Sequence, residues 1–365
     1  MSADRNIVRV ATATRSLSLP EPLQLGAMTV TRREYCAVQV ESADGYVGQS
    51  YALSREAPMA EIVSRLIAPT VLAQDSGAPE IVWDKAYRGS AIVGRVGLVR
   101  RAIGMVDVAT WDIASQRAGL PLWQMLGTSP DPRPTMLVAA YPTPGRSVRD
   151  VVDEVVSQAQ EGWPLVKISR SPDNDFMREL ISTLRQELPE KTGLVVDVGF
   201  GWNSSDEALN DVSQWGDPEL AWLEDPLLPE DVEGCARLRR GSGLTIAVGD
   251  EVTDPLVLRS LVESEAIDVL RLDVIAVGGI TQARILVEWA AERGTEVSCH
   301  VYPEVSVHLG VGVETFNRSV NPYDPSPSLV RGGPEFVAGY AVPPTTAGLG
   351  FTLDPALFDF GVEKL

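Results

Sequence analysis

The sequence predicts an α/β protein whose larger part is a strand–helix barrel of the TIM type, preceded by a smaller α+β module that we call the capping domain. From about residue 134 onward, short apolar runs alternate with amphipathic helical segments, as the strands and helices of a parallel barrel do. Ionisable residues follow six of these runs at intervals close to one strand–helix unit. The N-terminal part shows a different pattern, with strands ahead of helices, which predicts a separate module.

The capping domain is predicted to span residues 1–130. Residues 7–52 show the partial alternation of strands, with a hairpin turn at Asp44-Gly45. From residue 58 the apolar residues recur every three or four positions, which indicates helices with one buried face. The last of these helices ends at Gly119.

The barrel is predicted to span residues 131–330, with strand–helix alternation along most of it. The tail, residues 331–365, is rich in proline and glycine and is expected to pack back on the capping domain. The predicted strands are TMLVAAY, LVKISR, GLVVDVGF, LAWLEDP, LTIAVGD, VLRLDV and EVSCHV. Catalytic groups of such barrels lie at the carboxyl ends of the strands, so the residues that end these runs become the candidate site.

Composition argues against some classes of binding partner and indicates a cellular compartment. The chain has 365 residues and a formal net charge of −19, which argues against nucleic acid and anionic membrane surfaces. No apolar run approaches the length of a membrane span. The three cysteines are far apart and odd in number, so a reducing cytoplasm is the expected location.

Three central runs each end in an acid: Asp197, Glu224 and Asp250. Their spacing is close to one strand–helix unit, so parallel strands would project all three carboxylates from the same end of the sheet. Converging carboxylates call for a cation, and oxygen ligands without cysteine or histidine favour Mg2+, with Mn2+ as a second possibility. The alternative is that each acid only caps the helix that follows.

Three further polar residues continue this ring on neighbouring strands: Lys167, Asp273 and His300. Their alternatives are a solvated strand end, a helix N-cap and a core histidine. Together they suit removal of the proton α to a carboxylate, because a divalent ion stabilises the enediolate and Lys167 adds positive charge on the opposite side. His300, oriented by Asp273, is the candidate base.

The chain resembles the mandelate racemase branch of the enolase superfamily over nearly its whole length. The matching pieces are DVATWDIASQRAGLPLWQMLG, GWPLVKIS, VVDVGFGW, WLEDPLLPED, AVGDEVTD, LRLDVIAVGGIT, CHVYPEVSVHL and AGLGFTLD. The resemblance implies an α+β capping domain, formed by the N-terminal part and the C-terminal tail, over a modified (β/α)7β barrel of the TIM type. It also implies magnesium on Asp197, Glu224 and Asp250. It implies Asp273 and His300 as the catalytic dyad, and it implies a homo-oligomer, commonly a dimer or an octamer.

One departure from the family pattern concerns the reaction. The family has Lys-x-Lys at the end of the second strand, and here Ser169 replaces the second lysine. Serine is a poor base, so one face of the substrate lacks a proton acceptor. This favours dehydration of a sugar acid or related hydroxy acid, with His300 as base and then acid. A racemase or epimerase, or a metal-binding relative without catalysis, remains open.

The small carboxylate substrate is predicted to touch Ser169, Glu314, Tyr141 and Arg55. Glu314 is the best candidate for the glutamate that the family carries near the end of the last barrel strand, the alternative being a surface acid. Specificity in the family comes from capping-domain loops, and the segments 19–28 and 50–59 are the candidates here. The first of them is mostly apolar, which suits a sugar acid less well.

Overall fold

Three antiparallel strands begin the computed structural model, which describes residues 4–25, 28–142, 145–316 and 329–358. They are β1 (Ile7–Leu25), β2 (Met28–Ser42) and β3 (Val47–Leu53), in that order across the sheet. The predicted turn joins β2 to β3, and Gly45 there has φ +89°, which glycine adopts without strain. The segment 19–28 is not a separate loop but the distal end of the long β1–β2 ribbon, and its residues 26–27 lie outside the described residues.

Helices follow, as the change of period predicts. Their buried faces pack against the N-terminal sheet, and the longest of them ends at Gly119, whose φ is +69°. They are α1 (Met59–Ile62), a π-helical turn (Val63–Ile67), α2 (Ala68–Val71), α3 (Pro79–Gly89), α4 (Leu98–Ala118) and α5 (Leu122–Met125).

Eight parallel strands form the barrel, and neighbours in the chain are neighbours in the sheet. The last strand pairs with the first, and a bridge between Ser298 and Gly312 joins the seventh to the eighth. The strands are β4 (Arg133–Ala140), β5 (Leu165–Ser169), β6 (Gly193–Asp197), β7 (Trp222–Glu224), β8 (Ile246–Val248), β9 (Val269–Leu272), β10 (Glu296–Cys299) and β11 (Val313–Phe316).

A helix follows each of the first seven barrel strands. Several begin at a side-chain cap, such as Ser147 before α6 and Asp173 before α7. They are α6 (Val148–Ala159), α7 (Asn174–Glu187), α8 (Ser205–Gln214), α9 (Val232–Ser242), α10 (Pro255–Glu263), α11 (Ile280–Ala291) and α12 (Pro303–Ser306), the last continued by a 3-10 turn (Val307–Leu309).

The tail contacts both parts of the molecule. Strands β13 (Glu335–Val337) and β14 (Tyr340–Val342) form a hairpin that pairs with the start of β4, so this part extends the barrel sheet. Strands β12 (Val330–Gly332) and β15 (Phe351–Leu353) pair with each other. Next to them, the carboxylate of Asp112 on α4 accepts hydrogen bonds from the amides of Gln49 and Leu349. A final 3-10 turn (Pro355–Phe358) follows β15.

None of the helices in the described part of the chain has the length and apolar composition that a membrane crossing needs.

Candidate active site

The strand ends of the barrel bring the sequence-predicted residues together. Ser169 pairs with Asp197 across β5 and β6, and Asp197 pairs with Glu224 across β6 and β7. Asp250 follows β8, and His300 follows β10 by one residue. The parallel register therefore places side chains that are far apart in sequence at one edge of the sheet.

Asp197, Glu224 and Asp250 each accept a hydrogen bond from a nearby group, which for Asp250 is Nε of Arg271 at 3.1 Å. The amide of Gly199 donates to Oδ1 of Asp197 at 2.8 Å, and the indole of Trp222 donates to Oε2 of Glu224 at 2.7 Å. Glu224 is fully buried, and burial raises its pKa to about 7 although Arg271 and Lys167 lower it. Asp250 is buried as well, yet positive neighbours, with Arg271 first, hold its pKa well below the usual value.

The three carboxylates fit a hard divalent cation. A single atom, Nζ of Lys167, lies 3.2 Å from Oδ2 of Asp197 and 3.6 Å from Oδ2 of Asp250, and it also contacts Glu224. Oxygens from three strand ends thus surround one cationic group, the ammonium of Lys167. Three carboxylates are a donor set that magnesium and manganese prefer.

Lys167 is therefore placed differently from the prediction that it adds charge on the side opposite the carboxylates. Its ammonium lies among them, and Oε2 of Glu314 is 3.0 Å away. Burial would lower the pKa of Lys167, but the surrounding carboxylates, Asp197 first, raise it well above the usual value. The reason is the inward direction of the side chain from β5, which the spacing along the chain does not specify.

His300 lies in the wall of the cavity, next to Asp250 and Glu314. Its Nδ1 is 2.8 Å from Oδ2 of Asp250 and 3.1 Å from Oε1 of Glu314, and its Nε2 is 3.5 Å from Oε1 of Glu251. Both ring nitrogens are buried, and they lie beside these three carboxylates at ion-pair distance. Burial lowers the pKa of His300, but the carboxylates, Asp250 first, raise it well above 6.5.

The expected contact between Asp273 and His300 is not formed: no hydrogen bond or ion pair joins them in the described part of the chain. The carboxylate of Asp273 is used elsewhere, since Oδ1 accepts from the amides of Ile275 and Ala276 at 2.8 and 2.9 Å. Its Oδ2 lies 3.3 Å from a guanidinium nitrogen of Arg101. Asp273 is not the N-cap of α11, which is Gly279, so the helix-cap alternative is wrong: the amides that Asp273 accepts from belong to the turn before that helix.

Glu251, and not Asp273, lies at ion-pair distance from Nε2 of His300. One of its oxygens contacts Arg55, and the other contacts Arg101. Arg55, predicted to bind substrate, is thus tied to a barrel acid, although it still lines the cavity. The role of Arg101 was not predicted, and its signal in the sequence is a pair of adjacent arginines in the first turn of a mostly apolar helix.

Arg271 is a second residue that the sequence interpretation missed. It is fully buried on β9, and it lies 3.2 Å from Glu224, 3.1 Å from Asp250 and 2.7 Å from Glu314. Glu314 lies on β11 and is buried, so the surface-acid alternative does not describe it. The signal for Arg271 was an arginine inside an apolar run, two residues before Asp273 and so on the same side of the strand.

A cavity of about 450 Å3 opens above these groups, within the range of small-molecule sites. Ser169 and Tyr141 line it, as predicted, together with Arg33 from β2 and the apolar residue Phe316. Tyr141 is buried against Leu19, Leu23 and Val138, so the end of the β1–β2 ribbon packs over the barrel mouth. Burial raises the pKa of Tyr141.

Comparison with known proteins assigns both parts of the chain. Residues 7–127 match the mandelate racemase / muconate lactonizing enzyme N-terminal domain, and residues 150–357 match the enolase C-terminal domain-like family. The chain belongs to the mandelate racemase/muconate lactonizing enzyme family. The predicted family and the predicted barrel with its capping domain are confirmed.

Relatives in this family include several sugar-acid enzymes. The L-talarate/galactarate dehydratase of Salmonella typhimurium is 29% identical over 74% of this chain and 68% of its own length. The D-galactarolactone cycloisomerase of Agrobacterium fabrum is 26% identical over 94% of this chain and 95% of its own. The solved L-talarate dehydratase of Polaromonas sp. JS666, complexed with Mg and L-glucarate, is 26% identical, covers 99% of each chain and superimposes with a TM-score of 0.88.

These comparisons bear out the predicted reaction class for the family. Named relatives are dehydratases, and cycloisomerases and racemases also occur among them. Structural relatives hold magnesium, which agrees with the predicted cofactor.

Proposed function

We propose that this chain is a Mg2+-dependent lyase that dehydrates a sugar acid or related hydroxy acid to a 2-keto-3-deoxy acid. The observation that carries the proposal is asymmetry across the cavity. His300, an imidazole whose nitrogens lie 2.8–3.5 Å from carboxylates, lines one wall of the cavity. Ser169, a poor base, also lines the cavity and lies on β5 where the family usually has a lysine. One acid–base group is sufficient for dehydration, whereas racemisation needs one on each face.

The metal would be held by Asp197, Glu224 and Asp250. When bound, it supplies Lewis-acid stabilisation of the negative charge that develops on the substrate carboxylate. Lys167 and Arg271 are buried cations at the same carboxylates, so they add positive charge on the side where that charge develops.

His300 would carry both proton transfers. Its neutral imidazole removes the α-proton, and the electrons of that C–H bond move toward the substrate carboxylate to give an enediolate. They then form the double bond between the α and β carbons. As the β C–O bond breaks, the imidazolium returns the proton to the leaving hydroxide, which departs as water. The enol product then tautomerises to the 2-keto acid, so atoms and charge balance without a further reactant.

The substrate class is supported by the cavity and by the relatives. The cavity volume of about 450 Å3 suits a molecule of sugar-acid size. Arg33 and Arg55 add positive charge on the side of the cavity that the capping domain forms. Dehydratases that act on talarate, galactarate, arabinonate and mannonate are among the relatives. The specific acid is left to experiment.

A panel of aldonic and aldaric acids, incubated with magnesium in deuterated water and followed by proton NMR, tests the proposal. Formation of a 2-keto-3-deoxy product supports it. Deuterium exchange at both α-configurations without product overturns it in favour of a racemase. Absence of product and of exchange, with Mg2+ bound normally in calorimetry, overturns it in favour of a metal-binding protein without catalysis.

The homo-oligomer and the cytoplasmic location implied by sequence stay predictions. Light scattering on the purified chain measures the first of them.

A further inference from the structure

Arg101 reaches from the capping domain into the barrel. It begins in the first turn of α4, and its side chain is 12% exposed. One guanidinium nitrogen contacts Oε2 of Glu251 and lies 3.0 Å from the carbonyl oxygen of the same residue. The other terminal nitrogen lies 3.3 Å from Oδ2 of Asp273. One side chain therefore joins the ends of two barrel strands.

The two carboxylates that Arg101 joins belong to the surroundings of His300. Oε1 of Glu251, which contacts Arg55 while Arg101 holds Oε2, lies 3.5 Å from Nε2 of His300. Asp273 is fully buried at the end of β9, the strand next to that of His300. Without a cation between them, the two carboxylates would repel each other at low effective dielectric.

We propose that Arg101 is a positioning residue that fixes Glu251, a neighbour of the imidazole of His300, relative to Asp273 at the end of β9, so that the capping domain completes the acid–base site. The inference rests on the proposed function for its effect on turnover. Arg101 itself is not placed against the reacting atoms.

The planar guanidinium explains why arginine suits this position. It presents two separate N–H edges at once, so it can hold two carboxylates in a fixed relation, whereas a lysine ammonium is a single point of charge. Small displacements matter here, since misplacement of a catalytic group by about 1 Å costs on the order of 100-fold in rate.

The chain offers a matched control in Arg100, the preceding residue on the same helix. Its guanidinium packs over the rings of Trp83 and Tyr87, and its Nε donates to the carbonyl oxygen of Arg95. Among the described contacts it has none with the carboxylates at the barrel mouth. Arg100→Gln therefore makes the same chemical change next to Arg101 without touching the site.

The experiment compares wild type with Arg101→Gln, Arg101→Lys and Arg100→Gln, each loaded with Mg2+. The kinetic readout is kcat and KM on the acid that the panel identifies. The second readout does not need turnover: imidazole nitrogen signals of protein labelled with 15N-histidine. The chain has only two histidines, His300 and His308, so His300→Asn assigns the spectrum and the signals of His308 serve as an internal reference.

We expect Arg101→Gln to lower kcat by on the order of 100-fold, with KM within about threefold of wild type. The His300 signals shift, those of His308 stay, and Arg101→Lys falls between the two. Arg100→Gln resembles wild type in both readouts. If Arg101→Gln does not fold, the same kinetic and NMR measurements on Arg101→Lys test the proposal.

Unchanged His300 signals in the folded Arg101 variants overturn the proposal, as does a loss in Arg100→Gln equal to that in Arg101→Gln. If the wild type turns over no acid in the panel, the proposed function fails. Shifted His300 signals in the Arg101 variants alone would then still support the positioning role.

Discussion

Nδ1 of His300 lies 2.8 Å from Oδ2 of Asp250, so the proposed base contacts a proposed metal ligand. The contact links the proposed base to the proposed metal site, although the two residues follow different strands and are 50 positions apart in the sequence. It also makes the roles separable by substitution, because Asp250 has further positive partners in Lys167 and Arg271 and does not depend on the imidazole alone.

Replacing His300 by asparagine should abolish proton abstraction while sparing the metal. We expect kcat to fall by about 100- to 10,000-fold, the usual contribution of a positioned acid–base group, because His300 is the one histidine among the described residues that line the cavity. Magnesium affinity, measured by calorimetry, should stay within about tenfold of wild type. Retained α-proton exchange would exclude His300 as the base.

Neutralising any one of the three proposed metal ligands should weaken Mg2+ binding, which the His300 substitution is expected to spare. Asp197→Asn, Glu224→Gln and Asp250→Asn should each weaken Mg2+ binding by more than about 100-fold, because a hard cation loses an anionic oxygen. Calorimetric titration with MgCl2 measures this. Asp225→Asn is the matched control, since its Oδ1 accepts from the amide of Gly249 and an amide oxygen can do the same. Equal losses in all four variants would argue against a specific triad.

The residue at position 169 should decide whether the α-proton can be exchanged from one face of the bound substrate or from both. Ser169→Ala should keep dehydration within about tenfold of wild type, because the hydroxyl is not the base. Ser169→Lys places an amine at the lysine position of the family and should introduce α-proton exchange with the opposite configuration. Proton NMR in deuterated water on each epimer separately measures both outcomes. A loss of turnover in Ser169→Ala comparable to that in His300→Asn would assign the serine an essential role.

His308, the other histidine, should report on stability rather than on catalysis. It is fully buried, with Nδ1 accepting from the amide of Trp123 and Nε2 next to the carbonyl of Leu349. Burial lowers its pKa to about 4, against 6.5 in the unfolded chain. Between pH 4 and pH 6.5 His308 is protonated in the unfolded chain but neutral in the folded one. Its contribution to the free energy of unfolding is therefore fully present above pH 6.5 and is lost as the pH falls toward 4.

The measurement compares wild type with His308→Gln, whose side chain can keep both hydrogen bonds but does not titrate. The difference in unfolding free energy between the two should fall by up to about 3 kcal/mol from pH 7 to pH 4. A difference that is constant over this range would contradict the burial argument. Other buried acids, such as Asp107, contribute to both proteins equally and cancel.

Residues whose positions follow from periodicity could be predicted well. Apolar runs and their spacing are local properties, and a parallel sheet converts equal spacing into a common edge, so Asp197, Glu224, Asp250 and His300 meet as expected. The hairpin turn at Gly45 is likewise set by local conformation.

What the sequence determined by itself is therefore the family, the barrel and the ring of ionisable strand ends. Only the tertiary structure decided which of those groups touch. Side-chain direction and long-range pairing have no local signature, so Arg271 could not be placed beneath the carboxylates, nor Arg101 between Glu251 and Asp273. Those contacts arise because folding brings a helix of the capping domain and separate barrel strands to one point, where buried charges must find partners.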